Sequence, residues 1–312
     1  MKLHSVKWNS YLETVLLMVA LACVLGCNQK APVTTEAAAQ STFSTPEEAG
    51  QALQAATKAN DESELTQILG HSSKELLSSG DPAEDRDARQ SFVTKYDRMN
   101  RWVRMADGSQ VLYIGADNYP FPIPLAQEPS SKWYFNTAAG EEEILARRIG
   151  RNELLAIDAS TSIANAEELY AQKTQSYTQK ILSSPGTEDG LYWEVPQNQD
   201  PSPLGRLGEF AKVAAASVTP DGSPVFDGYS FRILTAQGEG AKGGAKSYLV
   251  NGRLTGGFAV VATPVKYQDS GIMTFIVSRE GAVYQKDLGK ATATVAATIR
   301  DYNPGDGWEP AE

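Results

Sequence analysis

The chain is short of cysteine and histidine: of its 312 residues, 2 are Cys and 2 are His. That supply excludes zinc sites built on Cys and His, haem attachment and most thiol chemistry, so no metal and no cofactor is expected. Basic residues are also in deficit, with 28 Lys and Arg against 38 Asp and Glu and a net charge of -10. A chain so acidic would hold a phosphate backbone against its own field, and nucleic acid is not an expected partner. Long apolar runs are missing too: residues 15–25 run apolar for 11 positions, about 16 Å of helix or roughly half a bilayer core. A folded core is not lacking, because 41% hydrophobic and 21% charged residues match globular chains rather than disordered ones.

What is there begins with an address. Lys2 and Lys7 precede the apolar run, which stops at Gly26-Cys27, the layout of a secretory signal. Val24-Leu25-Gly26-Cys27 resembles the bacterial lipobox. The resemblance implies that residues 1–26 are a signal peptide and that Cys27 becomes the lipid-modified start of the mature chain. Losing Lys2, Lys7 and Glu13 moves the net charge from -10 to -11. Acyl chains on Cys27, each adding about 0.8 kcal/mol per buried CH₂, would hold the protein on a membrane. With Cys27 acylated, no thiol is left for disulfides or catalysis, and His71 is the one remaining histidine. Asn28 follows the anchor. By similarity to lipoprotein sorting in Gram-negative bacteria, where Asp is the usual retention signal, it implies an outer-membrane location facing the periplasm. Residues 27–42 are Ala, Thr, Gln and Pro without periodicity and read as a flexible tether.

Thr45 as cap, Pro46 at the first helical position and Glu48 three residues after the cap specify a helix start. Short helices are expected to end at Gly70 and near Gly80. Ala88, Phe92, Tyr96, Met99 and Val103, every three or four positions, predict a long amphipathic helix. Residues 43–106 are therefore expected to be a helical module. A mixed α+β domain over 107–312 should follow. In it, 110–116 reads as a strand, and Pro120, Pro122 and Pro124 confine the next segment to an edge. Residues 132–136 read as a strand, and 138–156 and 165–181 as two helices. Over 228–288, β-rich runs are separated by turn signals, Asn251-Gly252 foremost. The fold class is α+β, a C-terminal antiparallel meander with helices packed on one face.

Several words together resemble one bacterial family, that of domain of unknown function 2950. They are Tyr119-Pro120-Phe121-Pro122-Ile123-Pro124, Ala139-Gly140 with Glu142-Glu143-Ile144-Leu145, Arg147-Arg148-Ile149-Gly150-Arg151-Asn152-Glu153-Leu154, Asp189-Gly190-Leu191-Tyr192-Trp193, Ser202-Pro203-Leu204-Gly205 and Lys286-Asp287-Leu288-Gly289. The likeness spans about residues 43–309 and departs at Thr263, where a Trp is expected before the proline. It brings no mechanism and no site residue. Strand words between Gly228 and Tyr284 are similar to the sheet region of some bacterial pseudopilins, an implication for the sheet alone.

Three chemical readings stay open. Glu188, Asp189 and Glu194 bracket Tyr192-Trp193 in a loop rich in Gly and Pro, a carboxylate pair beside an aromatic platform that would suit an envelope hydrolase cleaving sugars. Arg147, Arg148 and Arg151 could receive an anionic ligand, or pair with Glu141, Glu142, Glu143 and Glu153 on the same helix. Residues 238–244, GEGAKGG, fit no phosphate-loop pattern and read as a flexible connection, and the acidic spacing of 301–309 is only faintly like a calcium loop. The leading expectation is a non-enzymatic binding or assembly module, anchored to a membrane through Cys27 and partnered by another envelope protein or component.

Overall fold

The computed structural model describes residues 40–77, 82–196, 198–207, 217–305 and 307–311. Residues 1–39, with the signal, Cys27 and most of the tether, lie outside the described residues, as do Gly80 and Asp306. The chain divides into two compact units after Gly140, so a boundary near 106 falls inside the first.

In the first unit, helix α1 (Pro46–Ala59) starts as its sequence dictates. The Thr45 hydroxyl accepts from the Glu48 N–H (3.2 Å), and the Glu48 carboxylate accepts from the Ser44 N–H (2.9 Å). Asp61 caps α2 (Glu62–Leu69), which stops at Gly70 with φ 88°. His71 opens a short 3₁₀ turn, His71–Glu75, and is exposed. Helix α3 (Pro82–Arg98) ends before the apolar spacing does, because the Asn100 amide turns back onto the Tyr96 carbonyl (3.1 Å) and 100–104 becomes strand β1 (Asn100–Arg104). The first module is thus helical only to Arg98.

Strand β1 pairs along its whole length with β2 (Gln110–Ile114), and the order continues through β4 (Leu125–Gln127) to β5 (Trp133–Phe135). The two-residue β3 (Tyr119–Pro120) also rests on β2. The proline segment meets the sheet on one side: β3 pairs with β2 alone and the Phe121 N–H, between two prolines, donates to the Leu112 carbonyl (2.7 Å), before ladder pairing resumes at Leu125, after the last proline. Ala49, Leu53, Leu65 and Ile68 of the helices pack against Ile123, Leu125 and Phe135. Gly140 allows this closeness, since a Cβ there would stand 2.6 Å from Ile123 Cγ1.

Helix α4 (Thr137–Thr174) replaces the two helices expected over 138–156 and 165–181. No Gly or Pro interrupts 157–164, and the hydroxyls of Ser160 and Thr161 bond back to the carbonyls of Ala156 (2.7 Å) and Ile157 (3.1 Å) instead of breaking the helix. It stops where Gln175 takes a φ of 58°, and Ile181 belongs to the following loop.

The second unit is built on a six-stranded antiparallel sheet. Its strands are β6 (Val225–Phe226), β7 (Tyr229–Leu234), β12 (Ala259–Pro264), β13 (Met273–Ser278), β14 (Val283–Asp287) and β15 (Glu309–Pro310), in the order β15-β14-β13-β12-β7-β6. Ala156, Ala159, Ile163 and Ala166, at spacings of three and four along α4, join one buried cluster with Phe231, Val260 and Phe275 of the sheet. Outside the sheet, β8 (Ala236–Gln237) pairs with β9 (Lys246–Ser247), and β10 (Leu249–Val250) with β11 (Arg253–Leu254). The architecture is α+β, with an antiparallel C-terminal meander.

Candidate functional site

The loop after α4 carries the carboxylates Glu188, Asp189 and Glu194 beside Tyr192 and Trp193. The Thr178 hydroxyl donates to the Asp189 carbonyl (2.6 Å), and Tyr192 N–H to the Ile181 carbonyl (2.8 Å), so the loop closes on itself. The Asp189 carboxylate is fully engaged in that closure. It pairs with the Lys180 ammonium and accepts from Ser184 N–H (2.7 Å), the Thr187 hydroxyl (2.8 Å) and the Ser184 hydroxyl (3.1 Å). Lys180 first, then the Ser184 N–H and the Thr187 hydroxyl, hold it well below the usual carboxylate range. A group so firmly ionised and so tied is a structural clamp and a poor general acid. Leu191 is fully buried and Tyr192 packs against the core, which accounts for half of the aromatic platform.

Glu188, Trp193 and Glu194 do come together, on the wall of an open cavity of about 440 Å³. Both glutamates are exposed, so that wall lacks the water-poor setting in which general-acid carboxylates work.

The arginines do not converge. Arg147 pairs with Glu143 (2.7 Å), four residues earlier, and Arg148 with Asp269, which also meets Lys266 (2.9 Å); Arg151 is exposed. Their neighbours complete the same task. Asn152 Nδ2 donates to the Ser270 carbonyl (2.9 Å), and the Glu153 carboxylate accepts from the N–H groups of Ile272 (2.9 Å) and Met273 (3.0 Å). This part of α4 grips the turn entering β13.

Two features escaped the sequence reading. Glu167 lies on the apolar stripe of α4, four residues after Ile163, and is fully buried. Its Oε2 accepts from Thr178 N–H (3.0 Å), while Oε1 has no hydrogen-bond partner among the described residues. Burial pushes this carboxyl up to about 8, against the Thr178 N–H and with help from the Glu168 charge. A charged residue in an i, i+4 apolar series was the available signal.

The second feature is a cavity of about 490 Å³ in the second unit, within the usual range of small-ligand sites. Tyr248, Tyr284, Tyr302 and Phe258 contribute the rings of its lining, and Lys242, Lys246, Arg279 and Glu280 its charges. Gly240, Ala241 and Lys242, within the 238–244 run expected as a slack connection, form part of the wall. Gln237 fastens them from within, donating to the carbonyls of Lys242 (3.0 Å) and Gly244 (2.7 Å) and accepting from the Tyr248 hydroxyl (3.0 Å). Burial pushes the Tyr248 phenol up to about 12.

The tail closes the other side. Gly238 N–H donates to the Tyr302 carbonyl (2.9 Å), and Gly240 N–H to Asn303 Oδ1 (2.7 Å). Neither Gly240 nor Gly257 tolerates a Cβ, which would stand 2.7 Å from Asn303 Oδ1 or 2.9 Å from Tyr248 Cδ1. The glycine runs and the Asp301-Tyr302-Asn303 word were visible in sequence, but their meeting depends on the parallel bridge between Gln237 and Tyr302. Among the described residues no group of three or more His, Cys, Asp and Glu side chains could hold a metal ion, and no helix is long and apolar enough to cross a membrane.

The words that carried the family resemblance turn out to be joints of the two units. Ile123 lies against Gly140, the 147–154 stretch holds the β13 turn, Asp189-Gly190-Leu191 closes a loop, Ser202 Oγ accepts from Gly205 N–H (3.2 Å), and Asp287 Oδ1 from Gly289 N–H (2.7 Å). No curated protein and no solved structure matches the chain. One family model, described as protein of unknown function (DUF2950), matches residues 40–311. With that match running over both compact units, the chain belongs to this family.

Proposed function

We propose that the chain is a lipid-anchored protein of the bacterial cell envelope, held to a membrane through Cys27, whose body is a non-enzymatic binding or assembly module. The anchor rests on the run of residues 15–25 ending at Gly26-Cys27 and on the resemblance of 24–27 to a lipobox. Asn28 supports an outer-membrane position facing the periplasm in a Gram-negative host. For the body, one observation carries the reading: the reactive side chains the sequence offers are committed to the fold or stand exposed, while the 490 Å³ cavity is preformed and carries, among the described residues, a single carboxylate, Glu280, 3.9 Å from Lys242. Glycoside cleavage by the common route needs two. In the native host, Cys27→Ser is expected to move the protein from washed membranes to the soluble fraction. A Cys27→Ser chain that stays on the membranes contradicts the anchor.

A second reading, an envelope hydrolase, keeps one supporting observation. Glu188, Glu194 and Trp193 line a common cavity. Asp189 is withdrawn from it by its four ties.

A further inference from the structure

We propose that the tyrosine-lined cavity of the second unit is a binding site for an anionic saccharide, a sugar ring bearing a carboxylate or a phosphate. The inference rests on the binding-module reading and adds its ligand class.

Shape comes first. Tyr248 is held by its hydroxyl on Gln237 (3.0 Å) and by its ring against the backbone of Gly257; Tyr302 is hydrogen-bonded to Ser278 and meets Tyr284 edge-on at 6.3 Å between centroids. Rings fixed in this way need no ordering when a ligand arrives, which removes a cost that flexible sites bear. The Tyr248 hydroxyl gives its proton to Gln237 in a buried hydrogen bond, which fixes the ring rather than leaving it to turn.

Composition comes next. Aromatic carbon alternates here with phenol, amide and backbone polar groups. A sugar ring matches both, with C–H faces for the rings and hydroxyls for the polar atoms. An acyl chain would leave those polar atoms without partners, a cost a sugar avoids. A bare inorganic anion would leave most of 490 Å³ and all of the rings unused.

Charge decides the sign. Among the described residues, three cations and one carboxylate line the cavity of a chain whose net charge is -10. Arg279 is engaged with Glu168 (3.1 Å) and Lys242 stands 3.9 Å from Glu280. Lys246 has no carboxylate partner among the described residues and stands 5.9 Å from the Tyr248 ring centroid. An anion repelled elsewhere on this surface is drawn to that ammonium.

The test is ligand-observed NMR on the full chain purified from membranes in detergent, with four probes: methyl glucuronide, glucose 6-phosphate, methyl glucoside and inorganic phosphate. The expected result is that at least one of the two anionic sugars binds about tenfold tighter than methyl glucoside and than phosphate, the stronger of them naming the anionic group. Lys246→Gln, on an exposed side chain, is expected to weaken it at least about fivefold with an unchanged melting temperature. Equal binding of methyl glucoside, equal binding of phosphate alone, no binding of any probe, or no effect of Lys246→Gln would each overturn the proposal. Cleavage of the methyl glycosides would instead overturn the non-enzymatic reading, so the two failures are separable in one tube.

Discussion

Glu167 is the residue where local chemistry reaches the whole molecule. Its carboxyl sits at about 8 in the folded chain against 4.5 for an ordinary glutamate, because burial penalises the charged form. The folded state therefore binds this proton more tightly than the unfolded state. The stabilisation is complete below about pH 4.5 and is lost progressively as pH rises toward 8. By pH 7 the loss is on the order of 3 kcal/mol. Glu167→Gln, which mimics the neutral acid, is expected to flatten that decline in urea melts between pH 5 and 8 while leaving the stability near pH 5 within about 1 kcal/mol. A decline as steep as in the unsubstituted chain would show that another group is responsible. The composition gave the supply of such residues, but not this burial, which depends on the loop 175–192 folding back over α4 so that Thr178 N–H meets the carboxylate. Asp189 was legible as a candidate and illegible as a clamp for the same reason, since its partners Lys180 and Ser184 reach it only through that fold-back.

At the scale of elements, local signals carried furthest where they are self-contained. The Thr45 cap and the Asn251-Gly252 turn were readable because each is completed by residues next to it. The turn joins β10 to β11 with Val250 opposite Arg253, and Asn251 and Gly252 take φ of 51° and 76°, as a two-residue primed turn requires. Gly252→Val places a β-branched residue in the left-handed region, at about 1 to 2 kcal/mol. Faster hydrogen exchange at the Val250 and Arg253 amides is expected, with the sheet core unchanged; equal exchange would show the turn is held from outside. Signals failed where an element's extent is set by remote contacts. Two helices were expected on either side of 157–164, yet the hydroxyls of Ser160 and Thr161 bond within one continuous helix while Ile163 is buried in the core of the second unit. The apolar spacing of α3 ran on into β1 because Trp102 and Val103 serve a strand as well as a helix face; pairing with Leu112 and Val111 of β2 decides between them.

Across the whole chain, an address and a body have to be combined. The proposed address lies in contiguous residues and is read without any fold. The body's cavity is not, because it joins residues 237–258, 278–284 and 302–304, which only the strand order brings together. The family words pointed away from the cavity, since they mark joints of the structure, and the fold class came from the apolar spacing and the turn signals. The central claim is that this body holds an envelope saccharide without cutting it. The most direct measurement incubates the purified chain with acidic polysaccharide from its host envelope, following co-sedimentation and new reducing ends over time. Co-sedimentation that Lys246→Gln weakens, with no rise in reducing ends, is the predicted result. Reducing ends that accumulate with wild-type chain and vanish with Glu194→Gln would contradict it.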